Sequence, residues 1–158
     1  MKYLLMFALI GVIMLIAQGV CKQYRERYAM FESLGEFFRL MRLNLSFQKQ
    51  KIKEILNQTS LKRNSQEIYT TYLNYLDKGT NIDISFVRIL DDNEQEQITN
   101  MLRSLGKNDV SGELKQLEAY DTYLKSKIEY TKAEKEKYCP LITKLSLLFA
   151  IGLAILFI

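Results

Sequence analysis

Apolar positions gather at the two ends of the chain and thin into periodic stripes between them. Residues 4–20 hold only Gly11, Gln18 and Gly19 outside the strongly apolar residues and alanine, and residues 145–158 hold no charge. A helix rises about 1.5 Å per residue and the hydrocarbon core is about 30 Å thick, so a span needs about 20 residues. Residues 3–20 nearly reach that length. The tail reaches it when residues 141–144 are counted, with Lys144 snorkelling to the headgroups. The pattern predicts an N-terminal membrane anchor over 1–20, a soluble domain over 21–138 and a C-terminal transmembrane helix over 139–158.

Between the apolar ends the period is helical. Tyr24, Tyr28, Phe31, Gly35, Phe38, Arg42 and Leu45 recur at spacings of four and three, and Leu34 and Met41 widen the stripe. Ser46 is placed to cap a second helix over 47–57, with Ile52, Ile55 and Leu56 apolar. A loop is expected over 57–64. A third helix is expected over 65–77, with Ile68, Tyr69, Tyr72, Leu73 and Leu76 inward and Gly79 as its C-cap. Residues 82–90 fit both a strand and a short helix. One strand would have no partner, so helix is the expectation. Asp92 with Gln95 three residues on has the form of a capping box, followed by the apolar face of Ile98, Met101, Leu102 and Leu105. Gly106 closes that helix, and Asn108 or Asp109 caps the last, whose stripe is Leu114, Leu117, Leu124 and Ile128. The fold class is therefore all-α, an antiparallel helical bundle of about five or six helices flanked by two transmembrane helices. Pro140, the one proline, marks where the last helix would bend.

Charge adds an orientation. The 158 residues carry a net charge of +4, and the middle of the chain holds all 18 acids with 20 of the 22 bases. Lys22, Arg25 and Arg27 follow the first apolar segment, and Lys132, Lys135, Lys137 and Lys144 precede or enter the second. The positive-inside rule puts the domain in the cytoplasm, with an uncleaved anchor preferred over a signal segment cut near Ala17-Gln18-Gly19. Charge is also segregated along the chain. Seven bases stand in 39–63 (Arg39, Arg42, Lys49, Lys51, Lys53, Lys62 and Arg63) against Glu54 alone, and six acids stand in 77–96 against Lys78 and Arg88. Neighbouring helices neutralising one another would explain this, as would a docking surface for acidic headgroups or an acidic protein. The small basic excess, without an RNA-binding or zinc-finger motif, argues against nucleic acid.

Candidate chemistry is sparse. The chain has no histidine, the commonest general base and a frequent zinc ligand. It has no Cys-x-x-Cys, no phosphate-binding glycine loop and no nucleophile elbow. The acids at 91, 92, 94 and 96 lack the spacing of a calcium loop and suit a helix start instead. Cys21 and Cys139 sit one at the polar edge of each apolar segment, read as reduced small hydrophobes. No cofactor, metal or catalytic residue is expected, so the chain is read as an anchoring or organising protein rather than an enzyme.

The C-terminal half carries a resemblance. Leu102-Arg103-Ser104-Leu105-Gly106-Lys107-Asn108-Asp109-Val110, then Gln116, then a long helix with Lys135, Lys137 and Tyr138, then an apolar tail with Gly152, resembles the stage III sporulation protein AB family. The N-terminal anchor, the Arg25 or Arg27 after it, and the overall length agree. The region around Ile52 departs from the family pattern, with no Thr-Pro-Leu run. The resemblance implies a membrane platform in the secretion-like channel between mother cell and forespore. Its soluble part would be similar to the cytoplasmic domain of type II secretion protein F. The implied partners are the membrane, an ATPase of the stage III sporulation protein AA type and other channel subunits, with a homo-oligomer compatible. Arg39, Arg42, Lys49, Lys51 and Lys53, or the turn of Leu105, Gly106, Lys107 and Asp109, are the expected partner-binding residues. The alternative is a membrane-anchored adaptor or sensor with its domain facing outward.

Overall fold

The computed structural model of the protein describes residues 2–47, 54 and 63–157. Among these residues there are four helices and no strand: α1 (Lys2–Phe47), α2 (Arg63–Lys78), α3 (Asp92–Ser104) and α4 (Val110–Phe157). The all-helical class expected from the period is observed, but the count of five or six helices between separate spans is not. α1 is one helix of 46 residues and α4 one of 48. Each joins an apolar arm to a polar, amphipathic stretch that the hydropathy pattern divides. In α1 the physical reason is the lack of a breaker. Glycine inside a helix costs only about 1 kcal/mol, and a packed helix absorbs it. Ser46 lies in the last turn of α1. The expected helix over 47–57 otherwise falls outside the described residues, apart from Glu54. α4 runs through Pro140 without interruption, although the proline forfeits the backbone bond to Glu136.

Contacts divide the chain into two compact units. One comprises Met1–Tyr28 with Tyr130–Ile158, the other Ala29–Glu129.

In the unit Ala29–Glu129 the helices surround a single core. α1 contributes Met30, Phe31, Leu34, Phe37, Phe38 and Met41, all at most 1 % exposed, and α2 contributes Ile68, Tyr69 and Tyr72. The buried face of α1 is wider than the predicted stripe. It takes in Met30 and Phe37 and leaves Arg42 outside. Phe37 meets Phe38 and Tyr69, and Phe38 meets Tyr120 edge-on with ring centres 5.6 Å apart. These are favoured geometries for aromatic pairs. A buried polar tie joins α1 to α2: the Tyr69 hydroxyl donates to the Ser33 carbonyl at 3.0 Å, and the Ser33 and Ser65 hydroxyls lie 2.8 Å apart. Burial pushes the Tyr69 phenol well above the usual tyrosine range.

Residues 82–90 are turns, not the expected helix. Ile82, Ile84, Val87 and Leu90 all point into the core, while Phe86 is 45 % exposed. Inward spacings of two, three and three match no regular element. The backbone instead closes short turns, Val87 N–H on the Ile84 carbonyl and Leu90 N–H on the Val87 carbonyl, and Asp83 accepts the Ser85 N–H. The capping box exists one residue earlier than predicted. Asp91 caps α3, accepting the Glu94 N–H at 2.7 Å, and Glu94 accepts the Asp91 N–H in return. Gln95, expected in that role, reaches back to the carbonyls of Val87 and Leu90.

In the other unit, the N-terminal half of α1 and the C-terminal half of α4 pair antiparallel. Met14 meets Ser146, Cys21 meets Cys139, Tyr24 stacks on Tyr138 and Arg27 pairs with Glu134. Lys135 lies over the Tyr28 ring, 4.0 Å from its centre. Beyond this seam the apolar side chains face outward: Phe7 is 69 % exposed and Phe149 64 %. By length and composition, α1 and α4 can each cross a membrane, and only 11 % of either apolar window is buried. A core helix of a soluble protein would be mostly covered, so burial inside this fold does not explain their apolarity.

Candidate functional site

The turn between α3 and α4 is the most organised exposed feature of the unit Ala29–Glu129. Leu105 is buried and ends α3, and Gly106 follows with φ of +77°. That left-handed conformation strains any residue with a Cβ, so glycine belongs there. Gly106, Lys107, Asn108, Asp109 and Val110 are all exposed.

Two braces hold this exposed loop. Asp109 caps α4, its carboxylate accepting the Gly112 N–H at 3.2 Å while its carbonyl accepts from Glu113. A Cβ at Gly112 would stand 2.8 Å from that carboxylate oxygen, so glycine there protects the cap. Glu113, 3 % exposed, accepts the Gly106 N–H at 3.0 Å and ties the loop to the first turn of α4. Burial first, and the Glu113 carboxylate second, push the Tyr72 phenol above its usual range. The second brace is a chain of side chains. Asn108 donates to Gln116 at 2.6 Å, Gln116 donates to the Tyr120 hydroxyl, and Ser104 donates to the Met101 carbonyl at 2.8 Å. Ser104 and Tyr120 oxygens are 2.7 Å apart. Since the Ser104 proton is committed to Met101, the Tyr120 hydroxyl donates to Ser104 and all bonds run one way. The turn is therefore held at both sides.

Of the expected partner-binding residues, the structure brings Leu105, Gly106, Lys107 and Asp109 together in this turn. Leu105 anchors it from inside and Asp109 is spent on the cap, so Lys107 and Val110 present the free surface. Val110 was not expected from the sequence; it is half exposed, which is unusual for a valine at a helix start. Arg39 and Arg42 are exposed on α1, with Arg42 3.7 Å from Asp121 of α4 and Lys125 2.7 Å from the same carboxylate. Asp121 lies twelve residues beyond Asp109 in the same helix, about 18 Å along its axis. The arginines and the turn are thus separate surfaces. Lys49, Lys51 and Lys53 lie outside the described residues. The bracing roles of Glu113, Gln116 and Tyr120 are not visible in the local sequence, apart from Glu113 being an acid in the first turn of a helix.

Glu94 of the acidic run is answered by α4. Glu94 is fully buried and meets Lys127 at 2.8 Å. Burial alone would lower the Lys127 pKa, but its hydrogen bond to Glu94 and the charges of Glu94, Tyr123 and Asp91 outweigh that and raise it. A shallow polar cleft of about 400 Å³ lies beside α3, with Asp83, Asp92, Glu96 and Arg103 in its lining. It presents surface carboxylates and an Arg103–Asn81 bond of 3.0 Å, an arrangement suited to solvation. Among the described residues no three His, Cys, Asp or Glu side chains are grouped to hold a metal.

Two long helices with apolar arms, joined to a polar helical unit with a braced exposed turn, define an all-helical protein equipped to associate with a membrane. The comparison with known families is specific. The chain belongs to the stage III sporulation protein AB family, whose model matches residues 2–158. Membership gives it a role in stage III of sporulation and connects it to no known enzyme family. No curated protein and no solved structure matches it.

Proposed function

We propose that this protein is a non-enzymatic membrane platform of the sporulation channel complex that docks the complex's cytosolic ATPase, of the stage III sporulation protein AA type. Its arms cross the mother-cell membrane and its polar unit stands in the cytoplasm. The observation that carries this reading is the α3–α4 turn. A loop whose conformation is already fixed loses little entropy on binding. Lys107 would steer an acidic partner, and Val110 would supply the apolar contact at the centre. Family membership supports the setting, and the bases flanking both arms support the orientation.

Capture of the purified ATPase by the reconstituted full-length chain tests the docking. Lys107→Glu combined with Val110→Asp is expected to weaken capture by about tenfold or more at unchanged helicity. Capture equal to wild type removes the turn from the interface. Reversing Lys49, Lys51 and Lys53 to Glu tests the basic run in the same assay, and loss there alone moves the interface to it. Topology is tested separately. Because Cys21 is 4 % exposed, a Lys107→Cys probe with Cys21 and Cys139 changed to Ser is the better reporter. It should resist an impermeant maleimide in intact cells and react after lysis. Labelling in intact cells would favour the outward-facing sensor instead.

A further inference from the structure

Cys21 and Cys139 come from the two ends of the chain, 118 positions apart, and meet in the unit of Met1–Tyr28 with Tyr130–Ile158. Each sulfur lies against the other residue's backbone. The Cys21 thiol donates to the Cys139 carbonyl at 3.5 Å, and the Cys139 thiol donates to the Cys21 carbonyl at 3.6 Å. A cysteine side chain is so short that this reciprocal contact requires the two helix backbones to approach closely, as a disulfide demands. Both cysteines are free. Packing alone would explain two small hydrophobes at a helix crossing, but it does not require each sulfur to reach the other cysteine's backbone.

We propose that Cys21 and Cys139 form a reversible disulfide that staples the antiparallel arms of α1 and α4, with a low-molecular-weight disulfide as its oxidant. This rests on the arm geometry and is independent of ATPase docking. The two thiols are unequal in a useful way. Cys139 is partly exposed and so can be reached by a small disulfide. Cys21 is nearly sealed. The Cys139 thiolate attacks one sulfur of the small disulfide, whose S–S bond breaks. One small thiolate leaves with the bonding electrons and takes up a proton. The Cys21 thiolate then attacks the Cys139 sulfur of this mixed disulfide and expels the second small thiolate. Two protein thiols have lost two electrons and two protons, and the oxidant has become two small thiols. Cys139 attacks and Cys21 resolves. The product links α1 to α4 beside the stacked Tyr24 and Tyr138, so the arms can no longer separate at that layer.

The test uses the full-length chain in lipid vesicles, titrated with mixtures of oxidised and reduced glutathione. Remaining thiols are alkylated after denaturation. Both thiols are expected to disappear together in a monomer, with a linked peptide pair containing Cys21 and Cys139, and dithiothreitol should restore both. Cys21→Ser should trap Cys139 as a stable glutathione adduct, and Cys139→Ser should slow Cys21 modification at least tenfold. Circular dichroism of each Ser variant reads whether the helices persist. Disulfide-linked dimers in place of the internal bridge would overturn the proposal. So would a wild-type chain that stops at the mixed disulfide, or two thiols that stay alkylatable throughout the titration.

Discussion

Glu94 carries a carboxylate into a fully buried position and performs two tasks there. One oxygen accepts the Asp91 N–H in the capping box, and the other meets the Lys127 ammonium. Removing one partner of a buried ion pair strands the other charge, which costs about 3–5 kcal/mol when burial is complete. Lys127 keeps 26 % exposure, so water can partly replace it. We expect Lys127→Ala to cost about 2–3 kcal/mol in denaturant melts. Lys127→Met together with Glu94→Gln should recover part of that, because no charge is left unpaired. The same residues set an alkaline limit. Lys127, Tyr69 and Tyr72 all have pKa values raised above the ordinary 10.5 and 10.0. Each therefore holds its proton more tightly when folded. Its stabilisation is complete below the unfolded value and lost as pH rises through the folded one. Melting temperature should fall from about pH 10 upward. Between about pH 6 and 9 it should stay level, since no histidine titrates there. A midpoint of loss near neutrality would contradict this.

Among the elements, α4 depends most on its first turn. Asp109→Ala removes the acceptor for Gly112 N–H and should cost about 1 kcal/mol. Gly112→Ala should cost a similar amount by crowding the same carboxylate. Gly106→Ala must adopt the left-handed conformation and should cost about 1–2 kcal/mol. If the braced turn is also the docking surface, these changes lower affinity further than their stability cost predicts. Gly35 in α1 responds differently. An added Cβ would lie 2.8 Å from Ile128 Cδ1, the tip of a flexible side chain. Gly35→Ala should thus be near neutral, the crowding offset by up to about 1 kcal/mol of helix propensity. Gly35→Leu should cost about 1–3 kcal/mol by overpacking the α1–α4 contact. Thermal melts of the pair would separate crowding from backbone flexibility. Element boundaries are the least legible feature: the apolar arm and the polar stripe, which the hydropathy pattern divides at residue 21, are one helix. Gly35 costs that helix about 1 kcal/mol. The buried Phe37, Phe38 and Met41 outweigh it.

At the scale of the whole molecule, every member of the core cluster lies between Met30 and Ile128, inside the unit Ala29–Glu129. We expect a fragment of residues 29–129 to fold cooperatively without detergent and to melt as one transition. The full chain, with Phe7, Leu15, Phe149 and Ile155 exposed on its arms, should require detergent or lipid. A fragment that stays unfolded would mean that the core needs the arms.

The sequence by itself determined the helical class, the apolar arms, the inward faces of α2 and α3, the inward Leu117, Leu124 and Ile128 of α4, though not Leu114, and the turn at Gly106 and Asp109. These follow from periodicity, composition and short-range capping, which act over four residues or fewer. The family was legible separately, as a resemblance carried by the run from Leu102 to Val110 and the apolar tail. Only the tertiary structure decided that Glu94 rather than Asp92 or Glu96 faces inward, because Lys127, 33 positions away, supplies its counter-charge. It also decided that residues 82–90 turn rather than coil, since four apolar side chains had to reach one core at irregular spacing. The contact of Cys21 with Cys139 belongs to the same class: it exists because two long helices return antiparallel, and no window of local sequence contains both.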